Sequence, residues 1–119
     1  MSVRRAALGA LLALLAPLAV AGGEKKDFGD GIYSPEKGVI CDSKGGYCAD
    51  GTGISMSWTA KYLGNDAATK FSKMIEGGKF DPTVFTMSNG VHCDTGKQKC
   101  IKTKYGNEVA EHITKRLYK

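Results

Sequence analysis

The sequence predicts an α+β domain in which two disulfide-clamped β-hairpins, each followed by a helix, form a small antiparallel sheet packed by about three helices. Three observations point there. A short unit occurs twice, as Gly38-Val39-Ile40-Cys41-Asp42 running on to Cys48 and as Gly90-Val91-His92-Cys93-Asp94 running on to Cys100. Both copies read G-V-x-C-D, five residues and a cysteine, at an offset of 52, and together they hold all four cysteines. Stretches with apolar residues at helical spacing follow, and glycine-rich tetrapeptides separate the strand-like runs.

Taken in order, residues 1–21 read as a secretory leader. Arg4 and Arg5 precede the apolar run Ala6 to Ala16, Pro17 breaks it, and Ala19-Val20-Ala21 suits a signal peptidase cutting before Gly22. A retained membrane span is the competing reading, but the run falls short of the roughly 20 apolar residues a span needs. Residues 22–37 are polar and read as an N-terminal arm, with Ile32 and Tyr33 able to begin a strand and Pro35 suiting an edge. Residues 38–119 form one α+β domain whose halves, 38–64 and 90–119, are an internal repeat. Val39 to Asp42 and Tyr47 to Ala49 form the first hairpin around Ser43-Lys44-Gly45-Gly46. Ser55 or Ser57 caps a helix that runs to Leu63 and stops at Gly64. Asn65 or Asp66 caps the next, whose stripe is Ala67, Ala68, Phe71, Met74 and Ile75. Val84 to Met87 form a strand before the turn Ser88-Asn89-Gly90, and Tyr33-Ser34 aligns with Phe85-Thr86. Asn107 caps the last helix, with Val109, Ile113 and Leu117 inward and Glu111–Lys115 as an i,i+4 pair.

Four cysteines allow three pairings, and spacing alone does not choose. If each unit is a hairpin, its cysteines face each other, which gives Cys41–Cys48 and Cys93–Cys100. An eight-residue closed loop removes about 2.5 kcal/mol of unfolded-state entropy in the chain-entropy model. A four-cysteine zinc site is the rival, but zinc ligands come in closer pairs than C-x6-C. Removing Arg4 and Arg5 from the 17 basic residues leaves 15 against 12 acidic, a formal +3. That is too mild and too scattered to argue for nucleic-acid binding.

Candidates for chemistry are few. His92 stands where the first unit has Ile40, and reads as a packed or rim histidine. His112 sits four residues after Glu108 on the last helix. No G-x-S-x-G elbow, C-x-x-C redox motif, phosphate loop or dinucleotide motif is present, so no cofactor is implied. Asp42 and Asp94 read as caps of their own turns, with cation capture as the alternative. Lys97, Lys99, Lys102 and Lys104 crowd the second hairpin as solubilising lysines or as a patch for an anionic polymer. Trp58 and Tyr62 share one helical face, as core residues or as an aromatic platform.

The run Ile32 to Asp42, with Tyr47-Cys48-Ala49-Asp50, Gly53-Ile54-Ser55 and Lys61-Tyr62-Leu63-Gly64, resembles the YcgJ / Fels prophage-protein-like family of small exported bacterial proteins. The second half fits through Phe85-Thr86, Gly90-Val91, Cys93-Asp94 and Cys100, and the paired cysteine units are the most specific part. The resemblance covers nearly all of the chain after the leader. It implies export and disulfides and carries over no catalytic residue. The function expected is a non-enzymatic, monomeric periplasmic or secreted module, of interaction or inhibitor type. Its contact surface is the two hairpin tips, Lys44-Gly45-Gly46 and Gly96-Lys97-Gln98, and its partner a protein or envelope component. The alternatives are a small hydrolase using a histidine–carboxylate pair, and a ligand- or metal-capturing envelope protein.

Overall fold

The computed structural model describes residues 24–78 and 80–119. The expected leader and its cut before Gly22 lie outside the described residues. A five-stranded antiparallel sheet runs in chain order: β1 (Lys26–Gly29), β2 (Ile32–Glu36), β3 (Val39–Asp42), β4 (Tyr47–Asp50) and β5 (Gly53–Ser55). Helices α1 (Met56–Leu63) and α2 (Asn65–Glu76) follow. A three-stranded antiparallel sheet of β6 (Val84–Thr86), β7 (His92–Asp94) and β8 (Lys99–Ile101) leads to helix α3 (Glu111–Tyr118). Among the described residues, no helix is long and apolar enough to cross a membrane.

The α+β class and both cysteine pairs are as the sequence predicts. Cys41 lies directly opposite Cys48, and Cys93 opposite Cys100, each pair bridged with Cα atoms 4.0 Å apart. The alignment of Tyr33 with Phe85 also holds in register. Tyr33 pairs with Cys41 and Phe85 with Cys93, so each clamped hairpin carries a preceding strand on the same side.

The arm reading of residues 22–37 is corrected. Residues 26–36 supply β1 and β2, and Ile32 and Ser34 are fully buried. The polar composition comes from β1, an edge strand facing water on nearly every residue, and not from an absence of structure. Pro35 is tolerated in β2 because it falls where the pairing register shifts, between Tyr33 and Glu36.

The two hairpins lie in separate sheets and not side by side in one. The first has no free face, because side chains alternate across a strand. Val39, Cys41 and Cys48 point one way, into a small cluster closed by Tyr33, Trp58, Tyr62 and Leu63. Ile40, Tyr47 and Ala49 point the other way, into the main core with Phe71, Phe85, Cys93, Ile113 and Leu117. β3 is therefore buried at every position. The sheets are joined at their margin by a bond from Ile54 N–H to the Pro82 carbonyl, 2.8 Å. Gly53 admits this approach: its φ is +120°, and a Cβ there would lie 2.6 Å from the Pro82 oxygen.

Helix ends follow local chemistry with two exceptions. Ser55 caps α1 by accepting the Trp58 N–H at 3.2 Å, and Gly64 stops it with its N–H on the Ala60 carbonyl. The chain turns straight into α2, so Gly64 occupies the N-cap and neither Asn65 nor Asp66 serves there. The last helix begins at Glu111 and not after Asn107. Val109 bridges Ile101, and Ala110 N–H donates to the Cys100 carbonyl at 2.8 Å, so this stretch extends the second sheet before the helix begins. Ile113 and Leu117 are buried as expected. Glu111 and Lys115 form no ion pair; among the described residues the salt bridges are Lys61–Glu36 and Lys102–Glu108.

A threonine from the helix that follows completes each hairpin. Cys48 N–H donates to Thr59 Oγ1 at 2.8 Å, and the Thr59 hydroxyl donates to the Ser55 carbonyl at 2.6 Å. In the second half, Cys100 N–H donates to Thr114 Oγ1 at 2.9 Å, and that hydroxyl donates back to the Cys100 carbonyl at 3.1 Å. Thr59 is fully buried, so nothing else can replace its oxygen. Thr59→Val should therefore lower the unfolding free energy by about 1–3 kcal/mol, the cost of a stranded buried N–H. Thr59→Ser should recover most of it in urea titrations followed by Trp58 fluorescence, and an equal loss in both variants would contradict the hydroxyl's role.

Candidate functional site

The turn between β3 and β4 is set by Asp42, whose side chain is 1% exposed. Its Oδ1 accepts the N–H groups of Lys44 at 3.1 Å and Gly45 at 2.9 Å, the expected capping of its own turn. The rest of its environment was not legible in the sequence. Oδ2 accepts the Ser88 N–H at 2.7 Å, and the Ser88 hydroxyl donates to Oδ1 at 2.8 Å. One carboxylate thus ties the first hairpin to the β6–β7 loop. Gly45 must be glycine here, because a Cβ would sit 2.7 Å from Asp42 Oδ2. The matching Asp94 is only half-buried and accepts a single 3.3 Å bond from Lys97 N–H.

Beside this lock lies a groove of about 370 Å³. Tyr47, Phe71, Met74, Phe80, Phe85 and Met87 make its apolar lining, with Asp42, Ser88, Thr86 and His92 among its polar groups. The rings interlock: Tyr47 and Phe71 centroids are 4.9 Å apart, Tyr47 and Phe85 5.8 Å, Phe71 and Phe80 5.6 Å. Burial, and then the negative charge of Asp42, push the Tyr47 phenol well above its ordinary value. Met74 stands 54% exposed.

The predicted contact residues divide between two places. Lys44 and Gly45 are exposed and Gly46 is half-buried, and Gly45 lines the groove. Gly96, Lys97 and Gln98 are exposed on the other tip, where Thr95–Lys97 form one 3-10 turn. Lys97 lines a second cleft of about 300 Å³ with His92, Asp94, Lys99 and Lys104. His92 borders both spaces, its Nδ1 2.8 Å from Thr86 Oγ1. His112 is exposed on α3 among Lys26, Lys37, Lys115 and Arg116. One histidine therefore meets a hydroxyl and the other meets cations. Among the described residues, no three His, Cys, Asp or Glu side chains gather to hold a metal ion.

Trp58 and Tyr62 stack at 5.8 Å as a half-buried lid over the Cys41–Cys48 bridge, with Lys61 Nζ 5.1 Å from the Trp58 ring centre. The Trp58 indole donates to Asp50 at 3.1 Å, and the Tyr62 hydroxyl donates to Glu36, a bond that raises its pKa.

Fold and site together define a small α+β domain with one disulfide clamp per sheet, a carboxylate lock between the sheets and an open apolar groove beside it. The family model described as YcgJ protein matches residues 32–118, and the chain belongs to the YcgJ family. A relative from Escherichia coli (strain K12), named "Uncharacterized protein YcgJ", is 40% identical over 75 residues. That match covers 63% of this chain and 57% of the relative, so the chain spans a little over half of that relative's length. No solved structure matches the chain. The match starts at Ile32, the first residue of β2, in keeping with a fold that begins before the cysteine units.

Two outcomes follow from this geometry. Asp42→Ala removes the acceptor of three backbone N–H groups and one hydroxyl and should cost about 3 kcal/mol of stability, against about 1 kcal/mol for Ser88→Ala. Urea midpoints in the reverse order would refute the lock. Stability should also fall in alkali. The phenols of Tyr47 and Tyr118 are raised above 10.0, chiefly by burial, so the unfolded chain loses these protons first. Their contribution is complete below pH 10.0 and declines as pH climbs towards the folded-state values. Denaturation at pH 8 and 11 should show the decline, and Tyr47→Phe should flatten it.

Proposed function

We propose that the protein is a non-enzymatic binding module of an oxidising compartment, periplasmic or secreted, acting as a monomer without a cofactor. Its partner is a protein or another envelope component, bound in the apolar groove with the Lys44–Gly46 tip at one lip. The observation that carries this reading is the Asp42 carboxylate, which holds the tip, the groove wall and the Ser88 loop together. A contact surface ordered before binding loses little conformational freedom on binding, which favours association. The groove suits an extended partner segment bearing an apolar side chain, with Lys44 free to meet an acidic neighbour. An inhibitor-type role is one form of the same reading, since a clamped turn presents a fixed shape.

Compartment is supported by the cysteines. All four are consumed in disulfides, which persist where thiols are not kept reduced. The leader-like residues 1–21 agree. The matched registers of the two hairpins support descent from one doubled unit, of which the first copy alone carries the lock.

The experiment is site-specific photocross-linking in intact cells, with the reactive residue at Lys44, Met74 or, as control, Lys61 beside Trp58. Lys44 and Met74 should yield the same discrete adduct, absent at Lys61. No adduct at either groove position, or identical adducts at all three, would overturn the reading. Turnover of an ester, peptide or glycoside that vanishes in His92→Ala would replace it with the hydrolase alternative.

A further inference from the structure

A second feature shares no residue with the groove. Lys26, Phe28, Lys37, His112, Lys115 and Arg116 line a cleft of about 270 Å³. They come from three parts of the chain: β1, the β2–β3 turn and α3. Among the described residues, no acidic side chain lines it. Acids do lie near in sequence. Asp27 accepts the Gly29 N–H at 2.8 Å, and Glu111 lines the neighbouring cleft with His112, Lys115 and Lys119.

The cleft is held in shape by α3. Gly38 N–H donates to the Arg116 carbonyl at 3.0 Å, fixing the β2–β3 turn against the helix. Arg116 Nε donates to Ser34 Oγ at 2.6 Å, and Ser34 is fully buried. Its Nη2 donates to the Glu24 carbonyl. A hydroxyl and the backbone carbonyl of Glu24 orient the guanidinium, and among the described residues no carboxylate forms a salt bridge with it. Neither salt bridge among the described residues uses a cation of this cleft.

The plainer account is that Lys115 and Arg116 answer the negative end of the helix dipole. That explains two cations and not the other two. Lys26 and Lys37 reach the same cleft from separate elements, although four convergent cations repel one another unless an anion is present. A fixed guanidinium with flanking ammonium groups is the arrangement that binds phosphate oxygens by charge-assisted hydrogen bonds. Phe28 is half-buried and adds an apolar surface beside them.

We propose that this cleft binds a phosphate group, with Arg116 orienting it and Lys26, Lys37 and Lys115 supplying charge. The group is either a free phosphate ester or an anionic lipid headgroup, both presenting the same oxygens. Both sources are tested with the full chain, disulfides intact. In the first arm, inorganic pyrophosphate is titrated into ¹⁵N-labelled protein. Saturable shifts should appear at Phe28, Lys37, Lys115 and the Arg116 Nε–H, and should weaken as salt rises. In the second arm, the protein is sedimented with phosphatidylglycerol–phosphatidylcholine vesicles and with phosphatidylcholine alone. Sedimentation only with the anionic vesicles, reversed by pyrophosphate, assigns a headgroup. Pyrophosphate binding without sedimentation assigns a soluble ester. Lys37→Glu with Lys115→Glu changes two exposed side chains and should weaken whichever binding is seen by about tenfold or more. Lys97→Glu with Lys99→Glu, on the other basic cleft, should leave it unchanged. The proposal is overturned if neither arm gives saturable binding, if the Lys37/Lys115 reversal leaves binding intact, or if the Lys97/Lys99 reversal abolishes it equally.

Discussion

The architecture hangs on a buried carboxylate. Asp42 is almost wholly removed from water and accepts hydrogen bonds from three backbone N–H groups and one hydroxyl. A carboxylate is costly to bury unless its lone pairs are filled, and these are filled by donors from both halves of the molecule. Were the Ser88 loop to move away, the β3–β4 turn would keep its cap and the inter-sheet bonds would be lost. The aromatic cluster of Tyr47, Phe71 and Phe85 packs beside that junction. Polar lock and apolar cluster thus occupy the same junction between the sheets.

The halves share a register and differ in surroundings. Both clamp directly opposed cysteines, and both close the second cysteine's strand with a helical threonine. The first hairpin is covered on both faces, so Ile40 and Asp42 are interior residues. The second meets the groove and the neighbouring cleft, and the matching positions His92 and Asp94 are half-exposed. The same sequence pattern thus yields an interior strand in one place and a rim in another. Burial, and not local sequence, separates Asp42 from Asp94.

These differences shape what the surface offers. The groove is mainly apolar, with Asp42, Ser88 and His92 among its lining residues. The α3 cleft is cationic and framed by an oriented arginine. The histidines lie in different settings, one beside a hydroxyl and one among lysines. The domain thus carries two chemically distinct recessed surfaces, one apolar and one cationic.

Local sequence determined the class, the two hairpins, their clamps, the Ser55 cap, the Gly64 stop and the turn at Asn89-Gly90. Each of these depends on residues within a few positions of one another, so local pattern reveals it, the clamps once each cysteine unit is read as a hairpin. The family was legible for the same reason, through the cysteine units. What lay beyond the sequence were events between distant segments. The Asp42–Ser88 bonds span 46 residues, and the Arg116–Ser34 bond spans 82. Polar β1 read as an arm because an edge strand facing water has an arm's composition. Val109 read as helical because its role is a bridge to Ile101. The two sheets, the groove between them and the cationic cleft were decided by tertiary packing, since which face of a hairpin is covered depends on what the rest of the chain brings against it.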